Sequence, residues 1–235
     1  MNKFALEKSE IIDSDMSSIA QKIYKTENNL PQIIEELQRY MQDEQNRRLA
    51  FYDWVDDSMK AEFILGEIVV HSPALEKHTS VRLQLTRLLS LFAEENNLGL
   101  VRDEKAMVHL TRNSYEPDIC FWSSEKSAQF KPETSIYPAP DLVVEILSKH
   151  TKRNDRGIKF DDYFINGVHE YWIIDPNKQV IEQYYISPTN DKKYTLFGIW
   201  DETHEIESRV VKGFKIPVLA AFDAEANRQA IKNLL

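Results

Sequence analysis

The chain has 235 residues and a formal net charge of −9, with 42% hydrophobic and 29% charged residues. This length supports one well-packed core or at most two small domains, and the composition is ordinary for a soluble globular protein. The acidic balance argues against a coat that binds nucleic acid regardless of sequence. It leaves room for an enzyme that acts on nucleic acid, because acidic side chains recruit divalent metal and a local basic patch holds phosphate.

The sequence predicts a protein of the reducing cytoplasm. No run of residues has the length and apolarity of a membrane span, and the first residues lack the basic-then-apolar order of a signal peptide. The single cysteine, Cys120, has no partner for an internal disulfide and no companions for a zinc site. We therefore expect no membrane partner.

The N-terminal part of the chain predicts a helical extension, residues 1–49. Residues 1–29 are polar and mixed, whereas "LPQIIEELQRYMQDEQNRRL", residues 30–49, has helix formers, spaced apolar residues and a proline suited to a first turn. Residues 50–235 are predicted to form a single α/β domain.

That domain alternates strand and helix patterns. "AEFILGEIVVHSP" predicts a hairpin or sharp bend at Gly66, and "ALEKHTSVRLQLTRLLSLFAEENN" predicts a helix. Strands are predicted at "LVRDEKAMVHL", at "EPDICFW" and, after a polar loop, at "PDLVVEILS". A helix is predicted at "NDRGIKFDDYFING", where Gly167 ends it. Three more strands are predicted at "HEYWIID", "QVIEQYYI" and "KKYTLFGI". The order indicates an α/β or α+β fold with one mixed β-sheet flanked by helices.

Two carboxylates stand in apolar strands. Alternate residues of a strand share a face, so Glu145 lies between Val143 and Leu147, and Asp118 shares a face with Cys120 and Trp122. Burying an ionised carboxylate costs on the order of several kcal/mol of folding free energy unless a cation, a metal or hydrogen bonds compensate its charge. If the two strands are neighbours, the acids converge, and carboxylate oxygens suit magnesium or manganese.

A cationic group follows the second acidic strand. Lys159 lies on the next predicted helix, with Asp155 and Tyr163 four residues to either side and therefore on the same helical face. The preceding segment supplies a local basic patch suited to phosphate: Lys149, Lys152, Arg153 and Arg156. A further carboxylate, Glu62, approaches from the first hairpin.

These segments, taken in order, resemble a known family. "EPDICFW" and "PDLVVEILS" are followed by a series at fixed spacing, Thr151, Asp155, Lys159, Tyr163, Gly167, Val168, Glu170, Tyr171, Trp172, Asp175 and Pro176. The set resembles the Uma-type putative restriction endonuclease family of the PD-(D/E)xK nuclease superfamily. "AEFILGEIVVHSPALEKH" is similar to its opening hairpin and helix.

The resemblance implies a restriction-endonuclease-like core, an endonuclease activity on DNA and a homodimer. It implies that Asp118 and Glu145 ligate Mg²⁺, with Mn²⁺ as a substitute, and that Glu62 completes the metal shell. The superfamily places a lysine two residues after the second acid, but that position is Leu147 here. In the family the lysine has moved to the following helix, which maps it to Lys159. "SKHT" departs from the family's serine-proline-serine-threonine turn.

Structural interpretations stand beside the catalytic ones. Glu145 and Asp118 could serve as ion-pair carboxylates, Lys159 as a solvated helix lysine, and the basic patch as a solvated loop. His78 could touch substrate, but it is predicted to lie on a helix surface. The rival function is a non-catalytic protein that binds nucleic acid or protein and retains the nuclease fold. A convergence of Asp118, Glu145 and Lys159 at an open cleft would favour catalysis.

Overall fold

The structure, a computed structural model, describes residues 18–234. The chain forms two compact units, and the boundary between them falls between Ala50 and Phe51. Residues 1–17, part of the predicted N-terminal extension, lie outside the described residues. Helix α1 spans Ser18–Thr26 and helix α2 spans Leu30–Trp54. The predicted helix therefore begins where expected, beside Pro31, and continues five residues beyond position 49, across the division between the units.

The second unit holds the remaining elements. Its helices are α3 (Glu76–Glu95), α4 (Ser124–Ser127), α5 (Lys152–Asp155), α6 (Ile158–Ile165) and α7 (Ala224–Leu234), with a 3₁₀ turn at Val218–Ala221. Its strands are β1 (Ala61–Ile64), β2 (Glu67–Val70), β3 (Gly99–Asp103), β4 (Met107–His109), β5 (Ser114–Tyr115), β6 (Ile119–Ser123), β7 (Ile136–Tyr137), β8 (Leu142–Ile146), β9 (Glu170–Asp175), β10 (Val180–Ser187), β11 (Asn190–Trp200), β12 (Glu205–Glu207) and β13 (Lys215–Pro217).

The strands of the described chain form three sheets rather than the single mixed sheet that the pattern indicates. The largest has the order β11-β10-β9-β8-β6-β3, with β8 and β9 parallel and its other neighbours antiparallel. The second has the order β2-β1-β5-β4-β7, and β12 pairs with β13. The mixed sheets flanked by helices confirm the predicted fold class.

Two predicted elements are divided in the structure. "LVRDEKAMVHL" forms β3 and β4, which belong to different sheets because the chain turns at Glu104 and Lys105, both with positive φ of 31° and 37°. The predicted helix before Gly167 is split into α5 and α6 at Gly157, whose φ of −122° and ψ of −105° are not helical. Gly167 ends α6 at a φ of +76°, as its position predicts.

The six-stranded sheet is buried on both faces, which explains the near-continuous apolar sequence of β8. On one face Leu142, Val144 and Ile146 pack against apolar residues of α3 and the C-terminal segment. On the other face Val143 and Leu147 pack with Tyr163 of α6 and Tyr171 of β9. Glu145 projects to this second face. No helix within residues 18–234 is long and apolar enough to cross a membrane.

Candidate active site

The register of β6 and β8 brings two acids together. The strands are antiparallel neighbours with Ile119 opposite Val144, and one further step in the same register places Asp118 opposite Glu145. The backbone N–H of Ile146 donates to Asp118 Oδ2 at 2.8 Å, which fixes the carboxylate at the end of its strand. Both acids are buried, with 3% of each residue exposed.

Lys159 of α6 bridges two carboxylates. Its Nζ lies 2.7 Å from Glu62 Oε1 and 2.9 Å from Glu145 Oε1, and Tyr163, one turn along, donates its hydroxyl to Glu145 Oε1 at 2.9 Å. Lys159 is only 2% exposed and Glu62 is fully buried. Asp155 Oδ1 is 3.8 Å from the same ammonium, so the predicted shared face survives the break between α5 and α6.

Three further residues, whose contacts were not predicted from the sequence, lie against the acids. Lys60 Nζ lies 3.0 Å from Asp118 Oδ1, and His78 Nε2 lies 3.1 Å from Asp118 Oδ2. His71 Nε2 lies 3.0 Å from Glu62 Oε2. His78 is buried, so the prediction of a helix-surface histidine is wrong, because the first turn of α3 faces the acids. Of the three, Lys60 carried a signal in the sequence, since it is two residues before Glu62 and alternate residues of an extended segment share a face.

Burial and neighbouring charges give the carboxyl groups of this cluster very different pKa values. Burial disfavours the ionised form of Glu62, but Lys159 and His71 outweigh burial and hold the pKa of this carboxyl at about 2. Burial is again the largest influence on Asp118, yet Lys60 and His78 hold its pKa far below the usual range. The pKa of Glu145 is raised, by burial first and against the attraction of Lys159. Burial, then the charge of Glu145, raises the pKa of Asp155 to about 8.

The opposing charges keep the central amine protonated. Burial lowers the pKa of Lys159, but Glu145, Glu62 and Asp155 outweigh burial and raise it well above the usual value. The site is therefore a fixed ammonium among acids of unequal strength. Such strong perturbation in one cluster is typical of functional sites, although ion-pair networks produce it as well.

The cluster opens on a cleft with a volume of about 1000 Å³. Asp118, Glu145 and Lys159 contribute to its lining, together with the N-terminal turn of α3 and the segment from Leu147 to Lys152. Of the predicted basic patch, Lys149 and Lys152 line this cleft. Arg153 is exposed on α5, and Arg156 forms a bidentate pair with Glu182 at 2.6 and 2.7 Å.

Carboxylates predominate among the side chains that could ligate a metal at this site, but they form ion pairs with lysine side chains. Among residues 18–234, no three His, Cys, Asp or Glu side chains are arranged to hold a metal ion. Asp141, just before β8, accepts a hydrogen bond from the backbone N–H of Ser123 at 2.8 Å and pairs with Lys126 at 2.9 Å, contacts that are typical of a structural residue.

Comparison with known proteins agrees with this architecture. The chain is 27% identical over 155 residues to "Uncharacterized protein sll1609" of Synechocystis sp., covering 65% of this chain and 86% of that protein. Its fold is similar to a crystal structure of a "putative nuclease belonging to DUF820" from Anabaena variabilis, with a TM-score of 0.62 and 16% identity over 73% of this chain and 94% of the other.

The family described as "Uma2: Putative restriction endonuclease" matches residues 43–219, which is most of the chain. The match includes every residue of the acid cluster, from Lys60 to Lys159. The protein therefore belongs to the Uma2 putative restriction endonuclease family.

Proposed function

We propose that this protein is a Mg²⁺-dependent endonuclease that hydrolyses phosphodiester bonds of DNA. The observation that carries the proposal is the convergence of Asp118, Glu145 and Lys159 at one open cleft, with Lys159 Nζ 2.9 Å from Glu145 Oε1. Membership of a family described as putative restriction endonucleases supports the same reaction class. The fold alone would not, because one fold hosts many functions.

The residues of the cluster fit a divalent metal in donor chemistry. Asp118 and Glu145 are opposite each other on adjacent strands and present oxygen donors to the cleft, which is the ligand type that Mg²⁺ and Mn²⁺ prefer. Glu62, held beside Glu145 through Lys159, is the third acid. The ammonium groups of Lys60 and Lys159 neutralise these carboxylates, so binding of the ion requires the ion pairs to adjust. A bound Mg²⁺ would acidify water and offset charge on the scissile phosphate.

The chain's own groups position the reaction. Lys159 is held by Glu62 and Glu145 at the floor of the cleft, where its ammonium orients the attacking water or stabilises the pentacovalent transition state. Tyr163 fixes the Glu145 carboxylate through its hydroxyl. The low pKa values of Glu62 and Asp118 keep both acids ionised at neutral pH.

DNA is the proposed substrate, and the cleft supplies cations for its backbone. Lys149 and Lys152 lie at the rim, whereas Arg153 and Arg156 remain predicted contacts on the exposed side of the same segment. The net charge of −9 slows encounter with DNA and suits a regulated or recruited enzyme. Cytoplasmic location and a homodimer also remain predictions, the latter measurable by sedimentation velocity.

The test combines metal binding with cleavage. Mg²⁺ and Mn²⁺ are titrated calorimetrically into the wild type, Glu145→Gln and the control Asp161→Asn, which neutralises an exposed acid on the Lys159 helix. The same proteins are incubated with supercoiled plasmid. We expect the wild type and the control to bind metal and nick the plasmid, and Glu145→Gln to lose both activities.

The rival function makes the opposite prediction. A wild type that binds no metal and leaves plasmid intact, with Glu145→Gln changed only in stability, would make the acid cluster structural and the protein a non-catalytic binder. The observation that favours this alternative is the pairing of the acids with Lys60 and Lys159, which gives both acids a structural role.

A further inference from the structure

The lysines of the cleft differ in their access to a ligand. Among the amines that line it, Lys159 belongs to the predicted catalytic set, yet only 3% of its side chain is exposed. The side chain of Lys60, across the Asp118 carboxylate, is 23% exposed and lines the same cleft. A group that contacts the backbone of a nucleic acid must reach the open space, which favours Lys60.

The hydrogen-bonding capacity of Lys159 is directed into the protein. An ammonium has three N–H donors. Glu62 and Glu145 accept at 2.7 and 2.9 Å, Asp155 lies at 3.8 Å, and the ring centroid of Tyr115 lies 5.3 Å from the same nitrogen. Turning Lys159 towards a backbone phosphate would remove its ammonium from two buried carboxylates at once, those of Glu62 and Glu145.

Lys60 is placed differently. Its ammonium donates to Asp118 Oδ1 at 3.0 Å, while its backbone carbonyl accepts from the N–H of His71 at 2.9 Å, so the hairpin fixes the base of the side chain. Asp118 does not depend on Lys60 alone, because Ile146 N and His78 Nε2 hold Oδ2 at 2.8 and 3.1 Å. The amine can therefore turn to a ligand while the carboxylate keeps its position.

We propose that Lys60 contacts a backbone phosphate of the DNA bound in the cleft, directly beside the acid cluster. This assignment rests on the proposed DNA substrate and adds a phosphate contact outside the predicted basic patch. Lys149 and Lys152 follow the backbone at the rim, and Lys60 holds the phosphate nearest Asp118. Lys159 then acts on the acids and the water, and contributes little to the affinity for DNA.

The test is the salt dependence of DNA binding, measured by fluorescence anisotropy with a labelled duplex in Ca²⁺ buffer, so that binding is recorded without relying on cleavage. Each phosphate contact contributes about 0.9 to the slope of log K against log salt concentration. We expect Lys60→Met to weaken binding and reduce the slope by about 0.9, and Lys60→Arg to restore most of it.

The matched control is Lys126→Met. Lys126 also pairs with an aspartate, Asp141, at 2.9 Å, and its side chain is 33% exposed, but it lies outside the cleft lining. Both variants change the net charge equally, so we expect Lys126→Met to keep the wild-type slope. Circular dichroism and thermal melting establish that both variants are folded.

The outcomes separate this assignment from the proposed activity. A wild type that binds duplex without nicking plasmid, with the slope reduced only in Lys60→Met, would overturn hydrolysis and support the Lys60 contact. Plasmid nicking with an unchanged slope in Lys60→Met, or an equal loss in Lys126→Met, would overturn the contact alone. Failure of the wild type to bind DNA would overturn both.

Discussion

Replacing Lys159 by methionine removes a cation that two buried carboxylates share. The methionine retains most of the volume but leaves Glu62 Oε1 and Glu145 Oε1 without the ammonium that lies 2.7 and 2.9 Å away. Glu62 keeps His71 and Glu145 keeps Tyr163, so each acid retains one partner. Removing one member of a buried ion pair typically costs about 3 to 5 kcal/mol.

The pKa of Glu62 gives an independent magnitude. A fall from the usual 4.5 to about 2 corresponds to about 3 kcal/mol of stabilisation at neutral pH, with Lys159 as the first charged contributor and His71 as the second. Because the folded pKa is lower than the unfolded one, this stabilisation is present above pH 4.5 and is lost as the pH falls through about 2. We expect the loss of unfolding free energy in Lys159→Met to be about 3 kcal/mol near pH 7 and less than half of that near pH 3.

Urea unfolding followed by tryptophan fluorescence at a series of pH values measures this difference. The control is Lys126→Met, whose ion pair is partly exposed and whose loss should cost about 1 kcal/mol or less. A cost in Lys159→Met below about 1 kcal/mol near pH 7, or one that grows as the pH falls towards 3, would refute the reasoning that Lys159 compensates buried charge.

Three other substitutions test the site and its support. Asp155→Asn removes an acid whose folded pKa, about 8, exceeds the usual 3.8. The stability that this group gives the wild type is present below pH 3.8 and is lost as the pH rises through 8. The variant should therefore gain stability relative to the wild type over that pH range in urea titrations. An unchanged difference between pH 4 and 8 would contradict the raised pKa. Tyr163→Phe removes the 2.9 Å hydrogen bond to Glu145 and should lower the free energy of unfolding by about 1 to 3 kcal/mol. The comparison is Tyr194→Phe, which loses a hydrogen bond to a backbone carbonyl. Gly99→Ala should lower the melting temperature by several degrees, since Gly99 has a φ of +150° and a Cβ there collides with the carbonyl oxygen of Trp122; an unaffected melting curve would show that β3 relaxes at little cost.

Residue patterns alone predict much of this protein. The spacing of apolar residues in "SVRLQLTRLLSLF" predicts α3, and alternation in "DLVVEIL" places Glu145 on the face that carries Val143 and Leu147, as the two core clusters show. The hairpin turn is predicted by Gly66, whose φ of 86° is one that glycine adopts readily, whereas Leu65 takes its φ of 50° against its own preference. These features depend on interactions within a few residues, so the sequence determined them.

The tertiary structure decided how those elements pair. "VRDEKAM" contains no glycine, proline or asparagine, so its division at two positive-φ residues into strands of different sheets left no local signal.

The same limit applies to the site. Asp118 meets Glu145 because β6 and β8 are antiparallel in one particular register, and Lys60 meets Asp118 across 58 positions of chain. His78 is buried only because the first turn of α3 reaches this strand end. A one-residue change in the register of β8 would move Glu145 to the other face of the sheet, away from Asp118. Strand register and ion pairing over such distances arise from packing of the whole domain, so the strand patterns predict the faces on which the acids lie but not their contacts with His71 and His78.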